Sequence, residues 1–133
     1  AIDLAVMPVE AANVRQNDFT LWSEPLCFVQ AKESYFSIQD ALPLVSFGSR
    51  CFYGGIAAAL LEDAGIAYDN ALESASIAGV CAAVSAGFGV ALMNASFMSD
   101  DQCEWSGASE LPAPPDIHYV LRAARLPLTA AQE

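Results

Sequence analysis

Apolar and polar positions along this chain follow two periods, and the changes of period mark its elements. Ile2-Asp3-Leu4-Ala5-Val6-Met7 reads as a short buried strand ended by Pro8. A polar loop rich in Asn, Gln and Asp follows. Phe19 to Val29 alternates loosely and is rich in Trp, Phe and Leu, so it reads as one long strand. Pro25 inside it marks an edge position or a bend. Ser37 to Leu42 fits a single helical turn capped by Ser37.

The middle of the chain is the most regular. Pro43 to Phe47 is a short apolar run that reads as a buried strand, and Gly48-Ser49-Arg50 turns the chain. From Phe52 to Ala64 the pattern is helical, with Ile56, Leu60 and Ala64 on one face and Gly65 as the stop. Residues 66–73 hold a second strand. Ser74 and Ser76 offer caps for a second helix, whose apolar stripe is Ile77, Val80, Cys81 and Val84 and which ends at Gly87. Gly89 to Met93 is a third strand. Strand, helix, strand, helix, strand over residues 43–93 predicts an α/β fold with a parallel sheet and crossover helices.

Residues 99–116 break this order. Asp100, Asp101, Glu104 and Glu110 make the stretch acidic and Pro112, Pro114 and Pro115 stiffen it, so it reads as an exposed connection. Ile117 to Ala124 returns as a strand. Pro127 and Thr129 then open a helix, with Gln132 placed for a capping box. One helical turn is not stable alone. Together with a start inside a strand, this gives the expectation that both ends cut through a larger domain.

Composition narrows the possible functions. The chain has 133 residues, enough for one compact domain, and 55% are hydrophobic, which argues against disorder. Five basic residues (Arg15, Lys32, Arg50, Arg122, Arg125) face sixteen acidic ones, for a net charge of −11. Binding duplex DNA or an anionic membrane needs clustered Lys and Arg, and none is present. No apolar run approaches the ~20 residues of a membrane span, and no signal-peptide pattern opens the chain. Cys27, Cys51, Cys81 and Cys103 form no CxxC pair, and three lie in apolar segments, so reduced thiols and a cytoplasmic protein are expected.

Candidate chemistry is sparse. His118 is the single histidine and has no acid or Cys cluster near it in sequence, so no metal is expected. No GxGxxG, P-loop, nucleophile elbow or paired-carboxylate motif is present, which predicts no cofactor and no enzyme activity. Trp22 and Trp105 read as packing or surface-covering residues. The residues left to consider are Ser46, Phe47, Gly48, Ser49 and Arg50, which follow a strand and enter a helix, and Ser74 and Ser76 at the next helix start. Ligands of parallel α/β sheets bind beyond the carboxyl ends of strands, and helix N-termini suit carboxylates. Arg50 adds a full charge and a bidentate donor set. These residues predict a site for a small organic anion. The plainer alternative is that the serines only cap helices and Arg50 is solvated.

Three stretches in order resemble the effector domain of LysR-type transcriptional regulators. They are Asp3-Leu4-Ala5-Val6-Met7-Pro8, then Glu24-Pro25-Leu26-Cys27-Phe28-Val29. The third is Glu73-Ser74-Ala75-Ser76-Ile77 running into Val84-Ser85-Ala86-Gly87-Phe88-Gly89-Val90-Ala91-Leu92. Asn94 follows Met93 where that family often has Pro.

The resemblance implies a type 2 periplasmic-binding-protein-like fold of two α/β lobes joined by crossing strands. Residues 31–116 would be the second lobe. Residues 1–30 would be a hinge strand and first-lobe remnant, and residues 117–133 a return hinge strand and the start of a first-lobe helix. The first lobe would be incomplete. The implied function is effector sensing in an inter-lobe cleft by a homodimer or tetramer, with DNA read only through a domain absent from this chain. A solute-binding protein lobe of the same fold is the alternative. The peroxide-sensing branch of the family also has a Cys after the turn equivalent to Gly48–Arg50. Its second Cys lies in the following helix, where this chain offers Leu60 and Leu61, so a redox role for Cys51 lacks a resolving thiol.

Overall fold

A computed structural model describes residues 4–47 and 52–123. The elements in chain order are strands β1 (Leu4–Glu10), β2 (Phe19–Glu24), β3 (Leu26–Ala31) and β4 (Leu42–Ser46), then helix α1 (Phe52–Asp63), strand β5 (Tyr68–Glu73) and helix α2 (Ile77–Ser85). Strands β6 (Ala91–Asn94), β7 (Gln102–Glu104) and β8 (Ile117–Ala123) complete them. The chain divides into two compact units. One comprises Ala1–Pro25 with Pro115–Glu133, the other Leu26–Pro114.

In the first unit β8 lies between β1 and β2, antiparallel to both. β1 runs through Pro8 instead of ending there. It pairs only with β8, and an edge strand tolerates a residue that lacks a backbone donor. A register shift between Thr20 and Trp22 bends β2. The β1–β2 loop is fastened to β8 by Arg122, whose Nε and Nη2 donate to the two carboxylate oxygens of Asp18 at 2.7 and 2.6 Å. The forked pair holds the Asp18 carboxyl down at about 2, with the backbone N–H of Arg15 also donating to it.

The second unit carries the βαβαβ alternation expected from the sequence. β4 and β5 pair in parallel. β6 joins β4 through a parallel bridge between Leu44 and Val90, with Val45 N–H donating to the Val90 carbonyl at 2.8 Å. β3 then runs antiparallel between β6 and β7. The single strand expected from Phe19 to Val29 is therefore two, broken at Pro25, and its halves belong to different sheets. β3 is buried along its whole length, within the second unit, whereas the sequence reading ended its first segment at residue 30.

A core of Cys27, Val29, Val45, Val80, Ala83, Val84, Ala91 and Met93 fills one side of this sheet beneath α2. Such close-packed apolar side chains contribute most of the folding free energy. α2 buries Val80, Ala83 and Val84, so its stripe is rotated from the expected one, with Ile77 exposed and Cys81 half-buried. α1 buries Ile56, Ala57 and Leu61 instead of Ile56, Leu60 and Ala64. In both helices an alanine replaces a larger residue at the closest approach to the sheet. Gly65 and Gly87 adopt positive φ (72° and 87°) just past the two helices, which is the conformation expected of their stop signals.

Two other expectations are corrected. Ser37 opens no helical turn: its hydroxyl accepts from Gln39 N–H at 3.0 Å in a bend, and Leu42 already starts β4. Residues 99–116 are not wholly an exposed connection. They contain β7, and Trp105 is fully buried, edge-on to Phe28 with ring centroids 6.0 Å apart, its indole N–H donating to the Phe36 carbonyl. Gln102 is also buried. Its amide donates to the Cys81 carbonyl and the Ser85 hydroxyl and accepts from Ser99 N–H, so it ties β7 to α2. The acidic residues around these two buried side chains hide them from a reading by composition. The helix expected from Pro127 and Thr129 lies outside the described residues.

Candidate functional site

The carboxyl ends of β4 and β5 lie side by side, with Ser46 in register with Glu73. The next residue along, Ser74, donates its N–H to the Ser46 carbonyl at 3.0 Å, carrying the contact one step past the sheet. The chain then enters α2. Ser76 has an extended backbone and accepts from Gly79 N–H at 3.0 Å, so it is the helix cap. The Ser74 hydroxyl accepts from Ser76 N–H at 3.3 Å. Gly79 makes this possible, since a Cβ there would sit 2.1 Å from the Ser74 oxygen. Three of the sequence-selected residues, Ser46, Ser74 and Ser76, are thus brought together at the first turn of one helix.

Phe47 follows at the end of β4. Its ring lies 5.1 Å from that of Tyr53, and it packs against the core beneath α2. Phe47 is therefore a wall of this region and not a polar contact. Gly48, Ser49 and Arg50, like Cys51, lie outside the described residues. Ser46 and Glu73 also border a crevice of about 250 Å³ against Gly54, Gly55 and Ala58 of α1. That volume is just under the range usual for small-molecule pockets. Ser74 and Ser76 do not line it.

Two residues were missed in sequence. Asn94 is completely buried at the end of β6, and its side-chain oxygen accepts a short hydrogen bond from the Tyr53 hydroxyl. This bond fastens the first turn of α1 to the third strand end. The available signal was Asn94 itself: an amide closing a run of apolar strand residues must find partners when buried.

Charge at the site is mixed. The first turn of α2 contains no acidic residue, so its partial positive end is unopposed within the helix. Glu73 is exposed nearby and carries the opposite preference. Among the described residues no group of three or more His, Cys, Asp or Glu converges as a metal site. Cys27, Cys81 and Cys103 are free thiols, and burial pushes the thiol pKa of Cys27 and Cys81 up, away from reactivity. No helix among the described residues is long and apolar enough to cross a membrane.

The family model described as LysR substrate binding domain matches residues 1–133. The chain belongs to this family. No curated protein matches it. Among solved structures, this LysR substrate-binding domain resembles full-length HypT, a hypochlorite-specific LysR-type transcriptional regulator from Salmonella typhimurium, at 14% identity and a TM-score of 0.70, over 98% of this chain and 48% of that one. The regulatory domain of the HypT M206Q mutant gives 16% identity and a TM-score of 0.72, over 98% of this chain and 69% of that one. Vibrio fischeri DarR, solved in complex with DNA, gives 16% identity and a TM-score of 0.67, over 98% of this chain and 48% of that one. At such identities the likeness establishes the fold, a mixed α/β domain of the type found in LysR regulators. The chain spans about half the length of the full-length regulators it resembles.

Proposed function

We propose that this chain senses a small organic anion for a LysR-type transcription regulator, and that the anion binds at the carboxyl ends of β4 and β5 against the first turn of α2. One observation carries the reading: the hydrogen-bonded run from Ser46 through Ser74 to the Ser76 cap places two serines at an uncovered helix N-terminus. Free N–H groups and hydroxyls there suit a carboxylate. Ser46, Phe47, Gly48, Ser49 and Arg50 form one wall of the site and Ser74 and Ser76 the other. Arg50 supplies the full charge and the forked donor set. Glu73 works against the anion at the rim, where solvent screens it.

The effector acts by binding one arrangement of the regulator better than another, and only that difference in affinity can shift the equilibrium. DNA is read by another domain of the regulator, because five basic residues against sixteen acidic ones give this chain no surface for phosphates. Family membership over the whole length supports the regulatory role.

The test is a calorimetric titration with whichever small carboxylate raises the melting temperature of the chain most. The account expects Arg50→Ala to weaken binding by at least about tenfold, the effect of losing one charge-assisted contact. Unchanged affinity in Arg50→Ala removes Arg50 from the site.

A further inference from the structure

One face of the first unit's sheet is apolar and uncovered. The register aligns Val6 of β1, Leu121 of β8 and Phe19 of β2 in one row, and Pro8, Tyr119 and Trp22 in the next, with Leu4 and Ala123 beside them. Directly paired residues project to the same side of a sheet. This face therefore carries eight apolar or aromatic side chains in a block and no charge until the row of Glu10 and Glu24 at its margin. Leu4 is 64%, Val6 56%, Phe19 67%, Leu21 38% and Trp22 47% exposed. Trp22 is stacked on Tyr119, with ring centroids 4.7 Å apart, and its indole N–H donates to Glu24, so the aromatic pair is held flat and outward-facing.

A sheet with a bare apolar face needs a second layer. We infer that the second layer is the same face of another copy of this chain. Three observations favour that occupant. The patch is flat and self-complementary, as a two-fold contact requires, and two such sheets stack face to face at the spacing of a β-sandwich. The chain's −11 charge would oppose contact between copies almost anywhere else, whereas this face excludes charge from its centre. The exposed parts of the five side chains amount to roughly 500 Å² of apolar surface, taking large side chains at about 150–250 Å² each. That lies at the upper end of the largest patches found on monomers and supplies most of the ~800 Å² per partner that a standard interface buries. The contact is isologous, with the stacked Trp22–Tyr119 pair at its centre as the anchor.

The experiment is sedimentation velocity on the full 133-residue chain across a hundredfold concentration range, on wild type and on Val6→Lys and Phe19→Glu. Both positions are solvent-exposed, and circular dichroism checks that the fold is kept. The expected result is a concentration-dependent rise from the monomer mass to twice that mass, with dissociation at least tenfold easier in either variant. A wild type that stays monomeric throughout, or a dimer that both folded variants leave intact, overturns the inference. Should the variants fail to fold, wild-type Trp22 emission decides. It must shift to the blue as the dimer forms and water leaves the indole, and emission that does not change with concentration overturns the assignment.

Discussion

Replacing Ser76 separates its two assigned roles, because capping needs only an acceptor oxygen whereas anion binding needs the absence of negative charge. Ser76→Ala removes the bond that Gly79 N–H makes at 3.0 Å and leaves that donor to water. Loss of an N-cap of this kind costs about 1 kcal/mol, within a range of roughly 0.5–2. For a domain of this size that corresponds to a melting-point drop of about 2–8 °C. Ser76→Asp keeps an acceptor at the same place and adds a carboxylate to a helix N-terminus, so stability is expected to stay within about 0.5 kcal/mol of wild type. The same carboxylate would stand about 4 Å from a bound anion, a repulsion between about 1 and 4 kcal/mol depending on screening. Affinity for the carboxylate should then fall at least about fivefold. Urea denaturation followed by the emission of Trp105, which is buried in the same unit as α2, reports the first quantity, and calorimetry reports the second. If Ser76→Asp is as stable as wild type and binds the carboxylate equally well, the anion is not at the α2 N-terminus.

Three further outcomes follow from the packing and charge. Gly107→Ala would bring a Cβ to 2.3 Å from the Trp105 ring and 2.8 Å from Ile38, so it should destabilise by about 1–3 kcal/mol in urea, and Trp105→Phe in the same chain should relieve part of that loss. The Asp18–Arg122 clamp has a carboxyl lowered from its ordinary 3.8 to about 2. Its stabilisation is therefore fully present above about pH 4 and disappears as pH falls through about 2. Hydrogen exchange in residues 10–18 should accelerate over that window, and Asp18→Asn should abolish the pH dependence. The Cys27 thiol, buried and raised in pKa, should resist iodoacetamide in the native chain at pH 7.5 and react on unfolding, as read by mass spectrometry of the labelled peptide.

The sequence made the βαβαβ unit visible because its helices and strands keep their periods and its stops are glycines with positive φ. It did not show the insertion of β3 between β6 and β7. Sheet order depends on long-range pairing, and a strand buried on both faces looks alike in any position. Trp105 and Gln102 were hidden for a related reason: the acidic and proline-rich residues beside them set the composition of the stretch, while two side chains do the packing. In the candidate site Ser76 was legible through its cap pattern. The Tyr53–Asn94 bond was not, since it joins residues 41 positions apart.

The most direct test of effector binding at the α2 N-terminus is to follow backbone amides by NMR while titrating small carboxylates, from acetate to benzoate, into the labelled chain. The account predicts saturable shifts centred on the amides of residues 77–79 and on Ser46, Phe47 and Ser74. Saturable shifts confined to other parts of the chain, or none with any carboxylate, would contradict it.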